Sequence, residues 1–206
     1  DPFAPPQRFI DMYEDVDVPE PICRGDEFET KPPQYRRYME QCINPARFAQ
    51  SPTHGIYNCR IDDKDIEDIK RMRRHYYARI TAIDEQIGFI RNALEAKGLL
   101  DNSIVIFTSD HGDNLGDHRM VYKWLMTEQT TKVPMLVRLP AAARQAVDDG
   151  LFTQMDIGPT LLEFAGLEVP CYLDGETNLE RITAGDSSQT PERVYCEDNY
   201  LTMVRT

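Results

Sequence analysis

Asp110 and His111 stand side by side, with Gly112 directly after them and Lys123 further along the same loop. A carboxylate oxygen and an imidazole nitrogen are both ligands for a divalent cation. Neighbouring side chains in a regular strand point to opposite faces. The two groups converge on one ion only where a strand has ended and the chain is turning, and Gly112 permits such a turn. A nearby lysine can hold an oxyanion as a point charge. The same residues admit a plainer reading, in which Asp110 and His111 are tied into turn hydrogen bonds and Lys123 is solvated. Divalent cations take roughly four to eight ligands, so any others must come from elsewhere.

The residues before this pair explain how it would be positioned. Ile104, Val105, Ile106, Phe107 and Thr108 form a run suited to a buried strand, expected over 103–108. Strand ends that open into glycine-bearing loops are where α/β enzymes place their chemistry. Asp113, Asn114, Asp117 and His118 follow in a polar loop. They either extend a metal shell or hydrogen-bond the loop to itself. Upstream, Ile66, Ile69, Met72, Tyr76, Ile80, Ile83, Ile87, Ile90 and Leu94 recur every three or four residues. That spacing predicts a long amphipathic helix over 62–97, with Gly98 as its C′ residue. Its heptad-like repeat also suits a coiled coil, but the strand that follows favours a helix packed on a sheet.

Helix, tight turn and strand in that order form half of a βαβ unit. The expected fold is therefore α/β, a mostly parallel sheet flanked by helices. Strands 103–108 and 133–138 lie in that sheet, with Pro134 at a first or edge position. A helix through 157–165 is expected, capped by Asp156 and ended by Gly166. Runs at 193–197 and 200–205 predict a hairpin. The first sixty or so residues carry too many prolines for long elements, with short helices expected at 7–13 and 33–41. Their aromatic residues (Phe3, Phe9, Tyr13, Tyr35, Tyr38, Phe48) suggest an irregular covering laid on a core.

The chain has 206 residues, a net charge of −12, and 41% hydrophobic content. A pI near 4.8 argues against nucleic acid or an anionic membrane as partner. No apolar run approaches the roughly 18 residues of a membrane span. The start lacks the basic and apolar regions of a secretory signal. With no initiator Met, it reads as the interior of something longer. The five cysteines contain no CxxC and read as free, buried thiols; the compartment stays open, with the cytoplasm favoured over the periplasm. His54 and His75 read as structural.

The series Ser109-Asp110-His111-Gly112-Asp113-Asn114-Leu115-Gly116-Asp117-His118, then Lys123, Glu128 and Val133 to Pro140, resembles the sulfatase family of the alkaline-phosphatase-like superfamily. Similar sulfatase sequences read DHG-D-x-L-G-x-H, a lysine, a glutamate-bearing stretch and V-P-x-x-V-R-x-P. The likeness continues in Asp156-Ile157-Gly158-Pro159-Thr160-Leu161-Leu162 with Ala165-Gly166, in Asp174-Gly175, and in Asp1-Pro2-Phe3, Pro5-Pro6, Phe9 and Met12-Tyr13.

The resemblance implies roles residue by residue. Asp110 and His111 match two ligands of a divalent cation, usually Ca2+, with Mg2+ or Mn2+ also admitted. Lys123 matches the lysine that contacts the sulfate or phosphate group. The family nucleophile is a formylglycine made from a C/S-x-P-x-R motif, which this sequence lacks; none of the five cysteines fits it. It is expected in an N-terminal part upstream of Asp1, together with a substrate-binding histidine. The implied activity is metal-assisted hydrolysis of a small-molecule sulfate ester by the longer protein. This segment alone should be poorly active and bind metal weakly. A phosphodiesterase or phosphonate monoester hydrolase is the alternative within the superfamily, and a non-catalytic binding module the alternative outside it. The implied organisation is a covering segment at 1–60, an α/β core at 61–169, and the start of a small antiparallel C-terminal subdomain at 170–206. No nucleic-acid or membrane partner is expected, and a homo-oligomer is admitted.

Overall fold

The computed structural model describes residues 4–36, 66–123, 125–140, 146–185, 190–198 and 201–206. Cys42, His54, Cys59, Trp124, the expected helix start at 62–65 and the expected helical residues 37–41 lie outside them. The chain divides into two compact units. The first joins Asp1–Asp101 to His111–Val133, and the second joins Asn102–Asp110 to Pro134–Thr206.

The first unit is built on helix α3 (Ile66–Ala96), preceded by α1 (Gln7–Asp11) and α2 (Glu27–Thr30) and followed by α4 (Glu128–Thr131). Residues 33–36 form a further helical turn. The apolar period of α3 appears as a cluster in which Ile69 and Met72 pack with Val121, joined by Leu115 and Tyr122. Helix α1 lies against α3. There the Tyr13 hydroxyl meets Thr81 Oγ1 at 2.6 Å, the Tyr13 and Tyr77 rings meet edge to face, and Arg8 pairs with Glu85. Phe9, Val18 and Tyr35 are buried. The proline-rich start thus contributes core contacts. Helix α3 ends as its glycine requires: Gly98 sits at φ 65°, Gly98 N–H donates to Glu95 O and Leu99 N–H to Leu94 O. These two bonds satisfy carbonyls left over at the helix end. Further along α3 the apolar stripe stays open, with Ile80, Ile83 and Ile90 exposed. The burial the periodicity leads one to expect is realised only in the first half of α3, where the loop after His111 covers it.

The second unit contains β1 (Val105–Thr108), β2 (Met135–Arg138), α5 (Ile157–Phe164), α6 (Leu179–Ala184), β3 (Val194–Asp198) and β4 (Leu201–Arg205). Strands β1 and β2 pair antiparallel, Val105 opposite Arg138 and Thr108 opposite Met135. This corrects the parallel arrangement expected for them. A parallel neighbour needs a crossover that carries the chain back along the sheet, usually a helix. Among the described residues the connection between β1 and β2 holds only the short helices Asp117–Arg119 and Glu128–Thr131, so the chain re-enters beside the end from which it left. Pro134 immediately precedes β2, where its missing N–H is not needed. Strands β3 and β4 form the expected antiparallel pair.

Helix α5 ends at Gly166 with the same bonding as α3, but it does not begin as expected. Asp156 makes no side-chain capping bond to α5. Thr153 caps the preceding 3-10 turn, Gln154–Asp156, in a capping box that Asp156 completes. The Asp156 carboxylate also accepts from Glu176 N–H at 2.9 Å and Asn178 Nδ2 at 3.1 Å. Among the described residues Cys23, Cys171 and Cys196 are free thiols, but Cys23 and Cys171 are exposed and Cys196 half-buried, which corrects the expectation of buried thiols. Among the same residues no helix is long and apolar enough to cross a membrane.

Candidate functional site

The loop that opens at His111 is held by its own side chains. Asp113 accepts from Leu115 N–H at 2.9 Å and from Tyr122 N–H at 3.1 Å, joining the two limbs of the loop. Asn114, 2% exposed, donates to Tyr122 O at 2.5 Å and accepts from Thr127 Oγ1 at 2.8 Å. Gly112 N–H donates to Thr130 O at 2.9 Å, and a Cβ at Gly112 would fall 1.9 Å from Gln129 O. Only glycine fits that approach. Gly116, at φ 95°, packs so closely on Ile69 that a Cβ would come within 2.6 Å of it.

This loop is strained. Among the described residues, every non-glycine residue at positive φ lies in it: Leu115, His118, Arg119 and Tyr122. Such conformations cost of order 1–3 kcal/mol each and persist only when their surroundings over-determine them. A buried charge network supplies that constraint. Arg73, on the inner face of α3, donates to Leu115 O at 2.9 Å, to Pro19 O at 2.8 Å and to Asp117 Oδ1 at 2.6 Å. Asp117 also accepts from Ile22 N–H and from Gln129 Nε2.

His118 and Asp117 therefore serve the loop itself. His118 Nδ1 meets Glu27 Oε1 at 2.9 Å and its Nε2 meets Gln129 Oε1 at 3.3 Å. Burial pushes the Glu27 carboxyl up, but the His118 hydrogen bond and charge, the Arg24 N–H and Lys31 outweigh it and leave Glu27 below its ordinary range. Burial also raises Asp113 above the ordinary aspartate range, against the pull of the Leu115 and Tyr122 N–H groups and of the charges of His111 and Lys123.

His111 and Lys123 come together within the first unit. His111 Nδ1 lies 2.8 Å from Gly112 O. A carbonyl only accepts, so Nδ1 carries the hydrogen and Nε2 presents a lone pair. The Lys123 ammonium donates to that Nε2. Asp110 closes the segment of the second unit that carries β1. Ser109 Oγ donates to its Oδ1 at 3.4 Å, and Gln154 Nε2 donates to the carbonyls of Ser109 and Asp110. Among the described residues no three His, Cys, Asp or Glu side chains gather as a metal shell. The residues present fit part of one: an imidazole whose far nitrogen is fixed by a carbonyl is the usual form of a metal-bound histidine.

Glu27, Arg73, Gln129 and Gln154 were not singled out from sequence. Arg73 alone left a trace, as a charged residue one turn after Ile69 on the apolar stripe.

Residues 24–167 match the profile of the Sulfatase family. The chain belongs to the sulfatase family. An arylsulfatase of Clostridium perfringens is 34% identical over 178 residues, covering 84% of this chain and 33% of that protein. The multifunctional alkaline phosphatase superfamily protein PehA of Trinickia caryophylli is 28% identical over 203 residues, 97% of this chain and 38% of its own length. Among solved structures, the phosphonate monoester hydrolase of Agrobacterium radiobacter superposes with a TM-score of 0.69 at 28% identity, covering 95% of this chain and 38% of that one. This sulfatase-family chain thus spans about a third of the length of these relatives.

Proposed function

We propose that the chain supplies part of the active site of a sulfate-ester hydrolase. Asp110 and His111 are two ligands of its divalent cation, Ca2+ before Mg2+ or Mn2+, and Lys123 binds the anionic group of the ester. The observation that carries this reading is the meeting of Lys123 with His111 Nε2 at one end of a strained, internally braced loop. The bound cation would supply Lewis-acid stabilisation of the transferring group. The protein's own part is positional. The Gly112 carbonyl fixes the His111 ring with Nε2 on the side of Lys123, which must release that lone pair before a cation can take it. The Asp113 and Asn114 bonds to Tyr122 set the limb that carries Lys123. Lys123 then offsets negative charge that grows on the ester oxygens during cleavage. A formylglycine nucleophile from another part of the polypeptide completes the proposed apparatus.

Hydrolysis of a phosphonate or phosphate ester is the second reading, favoured by the likeness to the Agrobacterium radiobacter phosphonate monoester hydrolase. The test is hydrolysis of p-nitrophenyl sulfate and of p-nitrophenyl phenylphosphonate by the polypeptide that carries this chain, with and without a chelator. Chelation and D110A should each remove turnover, and K123A should lower it about a hundredfold or more. The ester turned over faster decides between the two readings. Full turnover by D110A would overturn both.

A further inference from the structure

We propose that Gln154 is a positioning residue for Asp110, resting on the reading of Asp110 as a metal ligand. Gln154 Nε2 donates to Ser109 O and, at 3.1 Å, to Asp110 O. Both partners are carbonyls, so the nitrogen end of the amide faces them and each of its hydrogens has an acceptor. In an extended strand successive carbonyls point to opposite sides, as successive N–H groups do. Two consecutive carbonyls meet one nitrogen only where the extended chain has ended. Gln154 thus grips the turn after β1 whose geometry sets the direction of the Asp110 side chain.

The grip comes from a fixed base. Gln154 opens the 3-10 turn Gln154–Asp156, which Thr153 caps. Two residues on, the buried Asp156 is bonded to Glu176 N–H and Asn178 Nδ2. Met155 O lies so near Gly175 that a Cβ there would come within 2.1 Å of it. Gln154 itself is exposed. Water can replace its bonds when it is removed, so its loss should cost the fold little while loosening the turn. A residue kept for stability alone would show the reverse.

The experiment is Mn2+ titration of the polypeptide that carries this chain, followed by paramagnetic broadening of the His111 imidazole signal, with thermal unfolding in parallel. Wild type should broaden at His111 before His118. D110A should abolish that preference. Q154M and Q154L should need about tenfold more Mn2+ for the same broadening, the range typical of groups that orient metal ligands, with Tm unchanged. Loss of broadening in D110A with Q154M and Q154L both matching wild type would overturn the positioning role and leave the metal reading standing. A D110A response equal to wild type, or no selective broadening of His111 in wild type, would overturn the metal reading and this role with it. Equal losses of Tm and of Mn2+ response in both Gln154 variants would assign Gln154 to stability and overturn the proposal.

Discussion

Two buried arginines brace the two units, and they do it differently. In the first unit Arg73 and its partner Asp117 are both nearly closed to solvent, with side chains 9% and 13% exposed. In the second, Arg181 is as deeply buried at 4%, but Asp148 keeps 31% of its side chain open. Arg73 spreads its guanidinium over one carboxylate oxygen and the carbonyls of Leu115, Pro19 and Glu20. Arg181 instead grips both oxygens of Asp148 and reaches Leu151 O. The first arrangement ties three stretches of chain around a strained loop; the second staples a surface turn to α6. Depth of burial, more than the kind of pair, decides what each is worth. A buried carboxylate stripped of its cation has no water to turn to, whereas a half-open one has.

That contrast sets the largest expected effect. R73M should destabilise the chain by about 3–5 kcal/mol, because Asp117 is left buried and three carbonyls lose a donor. Urea unfolding measures it. R73M with D117N should recover part of the loss, since the stranded charge is then gone. An R73M loss no larger than that of R181M would break the comparison.

Next in size is G112A. Its new methyl would press on Gln129 O, a backbone atom that cannot swing aside. Overpacking of this kind costs about 1–3 kcal/mol. The bond from Gly112 N–H to Thr130 O is the one most exposed to the shift. Faster exchange of the amide at position 112 than in wild type would report it. An alanine variant of wild-type stability would show that α4 can move away, and that the loop is less over-determined than its positive-φ residues imply.

How much of this was readable beforehand follows from the range of each interaction. The α3 helix, its glycine stop, strand β1 and the β3–β4 hairpin rest on period and turn chemistry within a few residues. They were legible. The direction of β2 against β1 was not, because the helix before β1 says nothing about the connection after it. The pairing of His111 with Lys123 was legible only as two separate candidates. Their support is long-range: Arg73 reaches Asp117 from α3, Glu27 reaches His118 from α2, and Gln154 reaches Asp110 from the far side of β2. A glutamine that touches only backbone leaves no pattern, since any sequence offers those carbonyls. Asp156 misled for the opposite reason. It sits where a cap belongs, but the helix start is shared between a 3-10 turn and α5, and Thr153 takes the capping role.

The smallest expected effect is the pH dependence of the second brace. R181M should cost about 1–2 kcal/mol near neutral pH, roughly the worth of hydrogen bonds to a charged group that water can partly replace. The Arg181 hydrogen bond, with help from Gly150 N–H and against modest burial, holds the Asp148 carboxyl below its ordinary range. A carboxyl whose pKa is depressed on folding adds stability above its unfolded value of about 3.9. It loses that contribution as pH falls through the lower folded value, because the unfolded chain then takes up protons more readily. Stability from this pair should therefore be full at pH 5 and above, and decline steadily below pH 4. In R181M that part of the acid dependence should vanish, so the wild-type and R181M curves converge in acid. Unfolding midpoints at several pH values between 2 and 7 would trace both curves. A gap that stays constant down to pH 2 would mean that Arg181 acts through its bond to Leu151 O and through packing, and that the charge on Asp148 contributes nothing.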